Sequence, residues 1–229
     1  MTRSFHTTRW TLVRNSRGDS AEARDALAQL CELYYGPVLA FLRREGRDED
    51  GARELAHGFF SKVLAGDFFG EAASDRGRFR SYLLGSLKHF LAKRRRDESR
   101  EKRGGDAEHL PLEAEHHITA PVTDAFFDRE WALAILDRAL AALHAEEEEA
   151  GKAAHFEALK PWLAGAAVPE PQEACAARLG ISSGALKVAI HRLRKRFREL
   201  VRGEIAATLD DPADIDQEMR HLVEALAGR

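Results

Sequence analysis

The sequence predicts an all-α protein: two small helical domains joined by a flexible linker, the C-terminal one a helix-turn-helix. Three observations carry this. Apolar residues recur at three-and-four spacing along most of the chain, and almost no stretch alternates as a strand does. A polar tract holding Gly104-Gly105, Pro111 and Pro121 interrupts the periodicity midway.

The elements follow in order. "EARDALAQLCELYYGPVLAFLRRE" (22–45) sets Ala26, Leu27, Leu30, Leu33 and Tyr34 on one stripe, and Gly36-Pro37 bends this helix or divides it. "ARELAHGFFSKVLA" (52–65) repeats the pattern with Leu55, Phe59, Phe60 and Val63, and the loop "GDFFGEAASDRG" follows. "FRSYLLGSLKHFLAKRRR" (79–96) turns Phe79, Tyr82, Leu83, Leu87, Phe90 and Leu91 inward. Three helices with a shared apolar face make an N-terminal domain over 1–96.

Residues 97–123 read as a linker without sustained periodicity. Asp124 can cap the next helix, which aims Phe127, Trp131, Leu133, Ile135 and Leu136 at a second core. "HFEALKPWLAG" adds a further helix or two around Pro161. "PEPQEACAARLG" and "SSGALKVAIHRLRKRFRELV" complete a C-terminal domain over 124–202. An acidic, amphipathic extension covers 203–229, with Met219, Leu222, Val223 and Leu226 as its apolar residues.

Composition narrows the function. The 229 residues are 44% hydrophobic with a net charge of -3, and no apolar run approaches the about 20 residues of a membrane span. The start, "MTRSFHTTRW", lacks the apolar core of a signal peptide, so a cytoplasmic protein away from membranes is expected. Cys31 and Cys175 are far apart and read as small buried apolar residues, not as a disulfide or metal pair. His109, His116 and His117 are scattered in a polar loop and make no metal site.

The near-neutral total hides segregation. From Arg76 to Arg103 there are eleven Lys/Arg against three acids. From Lys187 to Arg202 there are seven against Glu199. The acids gather at 145–150, 106–117 and beyond Glu204. Two basic patches on an acidic chain suggest two contacts with a polyanion, although either run alone could be a solvated helix face.

The stretch from Cys175 to Leu200 meets the demands of a helix-turn-helix. Ala176 is the small residue that a close helix crossing requires, and Gly180 permits a left-handed turn. Cys175, Leu179, Ile181, Leu186 and Ala189 form an apolar lock. Ser182 or Ser183 can cap the second helix, leaving Ser182, Ser183, Gly184, Lys187, Val188 and His191 exposed at its start. Lys187 and His191 are expected at base edges. Arg192, Arg194, Lys195, Arg196 and Arg198 are expected within reach of phosphates. A purely structural helical hairpin would show the same lock.

"AARLGISSGALKVAIHRLRKRFREL" resembles the promoter-binding region of extracytoplasmic-function sigma factors of bacterial RNA polymerase. The N-terminal half is similar too. "LAQLCELYYGPVLAFLRREG" resembles the family's first conserved helix. "DGARELAHGFFSKVLA" resembles the segment that docks on the clamp helices of the polymerase's largest subunit. "GRFRSYLLGSLKHFLAKRRRDE" resembles the helix that opens and reads the minus-ten element. The likeness covers roughly 22–202. It implies a minus-ten and docking domain over 1–96 and a minus-thirty-five domain over 124–202. It also implies a role in binding core RNA polymerase and directing promoter recognition, melting and initiation.

On this resemblance the loop 66–78 would shape a pocket for an unstacked base. Arg76, Arg78, Arg80 and Lys88 would meet DNA backbone, and Arg94, Arg95 and Arg96 duplex phosphates. A solubilising helix end would also suit that arginine run. Phe68-Phe69 is core or a stacking platform. Asp106, Glu108, Glu113 and Glu115 fit an acidic strand imitating nucleic acid, or an ordinary linker. Glu54, His57, Gly58 and Ser61 would face the polymerase clamp.

Here the chain departs from the family. The dense acidic motif and Gln-Glu pair are replaced by Gly51, Ala52, Arg53, Glu54, His57 and Gly58, so weak docking is expected. That leaves room for an accessory partner, an anti-sigma factor or a modification adding negative charge. The extension packs on its own domain, holds a partner or folds back on the basic helix.

No phosphate-cradling Gly loop, nucleophile motif or clustered ligand set points to an enzyme or a cofactor. The rival reading is a stand-alone helix-turn-helix transcription regulator, which accounts for the C-terminal motif but not for the N-terminal basic helix.

Overall fold

The computed structural model describes residues 20–65, 78–104, 124–163, 170–209 and 211–228. Among them the secondary structure is helical, with one isolated antiparallel bridge, Arg78 to Leu209, and no strand. The helices are α1 (Ala21–Arg44), α2 (Glu49–Leu64), α3 (Phe79–Gly104), α4 (Asp124–Glu149), α5 (Ala153–Leu159), α6 (Gln172–Arg178), α7 (Ser183–Ala207) and α8 (Ile215–Ala227). Short 3-10 turns lie at Lys160–Trp162 and Pro212–Asp214. No helix among the described residues is long and apolar enough to cross a membrane.

The chain forms two compact units, 1–134 with 206–229, and 135–205. In the first, α1 starts at Ser20, whose hydroxyl accepts the Ala23 amide at 3.1 Å. Gly36-Pro37 does not divide it: α1 continues to Arg44 with Pro37 buried inside. Asp48 caps α2 through the Gly51 amide at 2.9 Å. Leu55, Phe59, Phe60 and Val63 are buried, as are Phe79, Tyr82, Leu83, Leu87, Phe90 and Leu91 of α3. Phe59 lies 5.7 Å from Phe90, and Tyr34 meets Phe79 edge-on at 5.1 Å. Burial pushes the Cys31 thiol up to about 12, so it stays protonated and behaves as an apolar group.

Three boundaries differ from the sequence reading. The linker does not begin at 97. Helix α3 runs on to Gly104, with Ser99 donating to the Arg95 carbonyl at 2.8 Å and Arg94 reaching Glu98 one turn on. Residues 105–123, including the acids at 106, 108, 113 and 115 and the three loop histidines, lie outside the described residues. Asp124 sits inside the first turn of α4, where the helix dipole favours an acid, and its carboxylate accepts from Lys88.

The start of α4 also serves a different core. Phe127 stacks on Tyr34 at 6.4 Å and meets Phe41 edge-on at 6.1 Å, and Trp131 is fully buried in the same unit. Two rings with no exposed area complete the N-terminal core, so α4 up to Ala134 belongs there and only its remainder serves the second. The extension likewise does not begin at 203. Helix α7 continues to Ala207, Thr208 and Leu209 are buried, and the Thr208 carbonyl accepts the Phe79 amide at 3.0 Å.

The second unit packs Leu143, Phe156, Leu159, Trp162, Cys175, Ala176, Leu186, Ile190 and Leu193 in one cluster. Leu179, Ile181 and Ala189 lie against it. Of the expected apolar lock, Cys175 and Leu186 are thus in that cluster and Leu179, Ile181 and Ala189 are packed against it. Gly180 closes the turn between α6 and α7 at φ +64°, with the Ile181 amide bonded to the Ala176 carbonyl at 3.0 Å. A Cβ at Gly180 would meet nothing, so its cost is conformational. Gly180→Ala is expected to destabilise the chain by about 1–2 kcal/mol, read as a lower urea midpoint. An unchanged midpoint would contradict the left-handed turn.

Candidate nucleic-acid interface

The turn positions the exposed face of α7. Ser182 is the cap: its hydroxyl accepts the Ala185 amide at 3.1 Å, while Ser183 opens the helix half-buried. Leu186, Ile190 and Leu193 are held inward at three-and-four spacing, which turns Lys187, Val188, His191, Arg192 and Lys195 outward. Val188 is 50% exposed, unusual for an apolar residue on a charged face. Two of the basic residues are partly committed. Arg194 is exposed, yet its Nε donates to the Trp162 carbonyl at 2.8 Å. Arg196 forks onto both carboxylate oxygens of Glu146 and reaches Glu199. These bonds hold Arg196 further into its charged form, and they hold Glu146 below the usual carboxylate range. Arg194 thus has a structural bond that the sequence did not reveal, and Arg196 is occupied in the free protein.

The N-terminal arginines are arranged differently from expectation. Arg76, and Phe68-Phe69, lie outside the described residues. Arg80 does not face outward: it is 7% exposed. Its Nη2 and Nε lie 3.0 and 3.2 Å from Glu218 Oε1, its Nη1 pairs with Asp128, and its guanidinium lies 4.8 Å over the Trp131 ring. Burial works against its charge, and Glu218 and Asp128 more than restore it, so its pKa is raised. Arg78 is only a quarter exposed and lies 3.2 Å from Glu218 Oε2. His221 Nε2 meets Asp128 Oδ2 at 3.1 Å, tying a second residue of α8 to the same cluster.

As the chain stands here, Arg80 and Arg78 do not present the open face expected of DNA-backbone contacts: Arg80 is buried, and both are paired with Glu218. Lys88 is bound to Asp124 and Arg94 to Glu98 and Glu54, with exposed side chains, and the exposed Arg95 is bound to the half-buried Glu45. Exposed pairs of this kind are worth about 0–1 kcal/mol and exchange readily for other anions. Arg96 is exposed, and with Arg95, Ser99 and Arg100 it lines a shallow groove on α3.

Glu54, His57, Gly58 and Ser61 share one exposed face of α2, opposite Leu55, Phe59 and Val63. His57 Nε2 lies 3.1 Å from the Tyr35 hydroxyl and its ring stacks on Tyr35. Arg53, beside this face, is turned to Glu49 and Asp50.

The sequence reading missed Glu218, Asp128 and His221. The signal was present for one of them: Glu218 is in register with Leu222 and Ala225, the buried face of α8, whereas Val223 is 60% exposed and Met219 and Leu226 are only half-buried. Among the described residues no three His, Cys, Asp or Glu side chains are placed to hold a metal ion. Comparison with protein-family models, with curated proteins and with solved structures returns no match to this chain.

Proposed function

We propose that the chain is a sigma factor of the extracytoplasmic-function type, a non-enzymatic protein that binds core RNA polymerase and directs promoter recognition, melting and initiation. The observation that carries this reading is the pair α6 and α7. A short helix, a left-handed turn at Gly180 and an apolar lock hold a second helix whose outward positions are Ser182, Lys187, Val188, His191, Arg192 and Lys195. That is the design of a helix-turn-helix, in which the start of the second helix enters the major groove. Lys187 and His191 are placed early enough for base edges, Val188 for a thymine methyl, and Arg192 and Lys195 for phosphates. The exposed α2 face with Glu54 supports a second, protein-binding surface, as a sigma factor requires.

A stand-alone DNA-binding regulator is favoured by one observation. Arg78, Arg80, Lys88, Arg94 and Arg95 all hold carboxylates of their own chain, so much of the N-terminal basic charge is satisfied without DNA. Retention of the purified protein by immobilised core RNA polymerase separates the two readings: a sigma factor is retained, and a stand-alone regulator passes through.

Within either reading the two ends of the α7 face behave differently. Lys187→Ala is expected to change sequence preference among duplex sites. Lys195→Ala is expected to weaken binding to all of them and reduce the log–log salt slope by about one. Salt titrations of the two variants on matched and scrambled duplexes check this. Equal effects of both substitutions on every duplex would contradict it.

A further inference from the structure

We propose that α8 is an autoinhibitory clasp: Glu218 occupies Arg78 and Arg80 as a backbone phosphate would, and withholds both arginines from single-stranded nucleic acid until α8 lifts. Naming promoter DNA as the strand rests on the sigma reading, but the masking of the two arginines rests on the ion pairs alone.

The two oxygens of one carboxylate are divided between two arginines that flank Phe79, Oε1 to Arg80 and Oε2 to Arg78. A phosphodiester presents two such oxygens in the same manner. Glu218 is 1% exposed and sits at the centre of the inward face of α8, where an amphipathic helix would ordinarily place an apolar residue. A carboxylate is retained there at a desolvation cost that its arginines only offset, so the contact fixes where α8 binds more than how tightly. The contact to Arg78 is an ion pair at 3.2 Å in which Oε2 accepts no aligned hydrogen bond. The apolar contribution is modest: Leu222 and Ala225 are buried beside Glu218, Ile215, Met219 and Leu226 are half-buried, the His221 ring lies against Trp131, and Val223 faces outward. Lifting α8 removes His221 from Asp128 together with Glu218 from the two arginines, so a phosphate would compete at Arg80 with the one carboxylate of Asp128 in place of two. The chain before α8 is anchored independently, through the Arg78–Leu209 bridge and the Thr208 carbonyl. Helix α8 can therefore separate without disturbing the start of α3.

The test compares the full chain, a chain ending at Leu209, and Glu218→Gln. Folding is checked by circular dichroism and binding by anisotropy of a fluorescein-labelled oligothymidylate across a salt series. The shortened chain is expected to bind more tightly, with a salt slope steeper by about 0.7 for each arginine released. Arg78→Ala should remove one such increment from the shortened chain and leave the full chain unchanged. Glu218→Gln keeps the shape of α8 and should tighten binding part of the way. It decides the matter alone if the shortened chain does not fold. Full-chain affinity and slope in the folded variants would overturn the clasp. Failure of core polymerase to retain any form, with tighter oligothymidylate binding once α8 is gone, would leave the clasp standing and remove the sigma reading. Retention with unchanged oligothymidylate binding would do the reverse.

Discussion

Glu54→Lys is expected to abolish capture of the protein by core RNA polymerase while leaving duplex binding by α7 intact. Glu54 is the one acid among the four residues of the exposed α2 face, and its side chain is 75% exposed. A basic clamp surface has that single carboxylate to meet there, so a charge reversal turns the attraction into repulsion. The fold has little stake in the residue. Its side chain makes a loose pair with Arg94 at 3.7 Å, of a kind worth about 0–1 kcal/mol. Loss of capture with an unchanged helical spectrum is thus the expected pair of results, measured by pull-down and circular dichroism. His57 of the same face stacks on Tyr35, so the face offers an aromatic pair and a single acid. Undiminished capture of Glu54→Lys would remove the docking face.

The second large effect is on stability. Arg80→Ala leaves the buried Glu218 and the half-buried Asp128 without the cation they share, and is expected to cost about 3–5 kcal/mol. Replacing the pair together, Arg80→Met with Glu218→Met, is expected to recover most of that loss, because no uncompensated charge remains in the interior. Urea unfolding of the single and double variants measures both. A single variant as stable as the parent would show that the cluster is solvated, not buried.

The helices were legible in the sequence because their apolar stripes are local: Leu55, Phe59 and Val63 declare an inward face on their own, and Cys175 through Ala189 declare a lock. What was not legible depends on partners far along the chain. Phe127 and Trp131 read as the start of a second core, since nothing nearby says that Tyr34 and Phe41 wait for them. Arg80 read as a DNA contact because nothing near it in the sequence says that its partner is Glu218, 138 positions away. The end of α3 was misjudged for a different reason: a polar run can extend a helix without any apolar stripe, as the i,i+4 contacts Arg94–Glu98 and Arg95–Ser99 do here. The exposed positions on α2 and α7 were legible because an exposed face is the complement of a legible buried one.

The most direct test of the account is initiation itself: core RNA polymerase, the purified full chain and a linear library of promoter fragments, with run-off transcripts read by sequencing. A sigma factor yields transcripts that depend on the protein, start at a common distance from a shared pair of elements, and disappear with Glu54→Lys. Protein-dependent duplex binding with no retained polymerase and no new transcript would contradict the sigma reading, and would leave a helix-turn-helix regulator in its place.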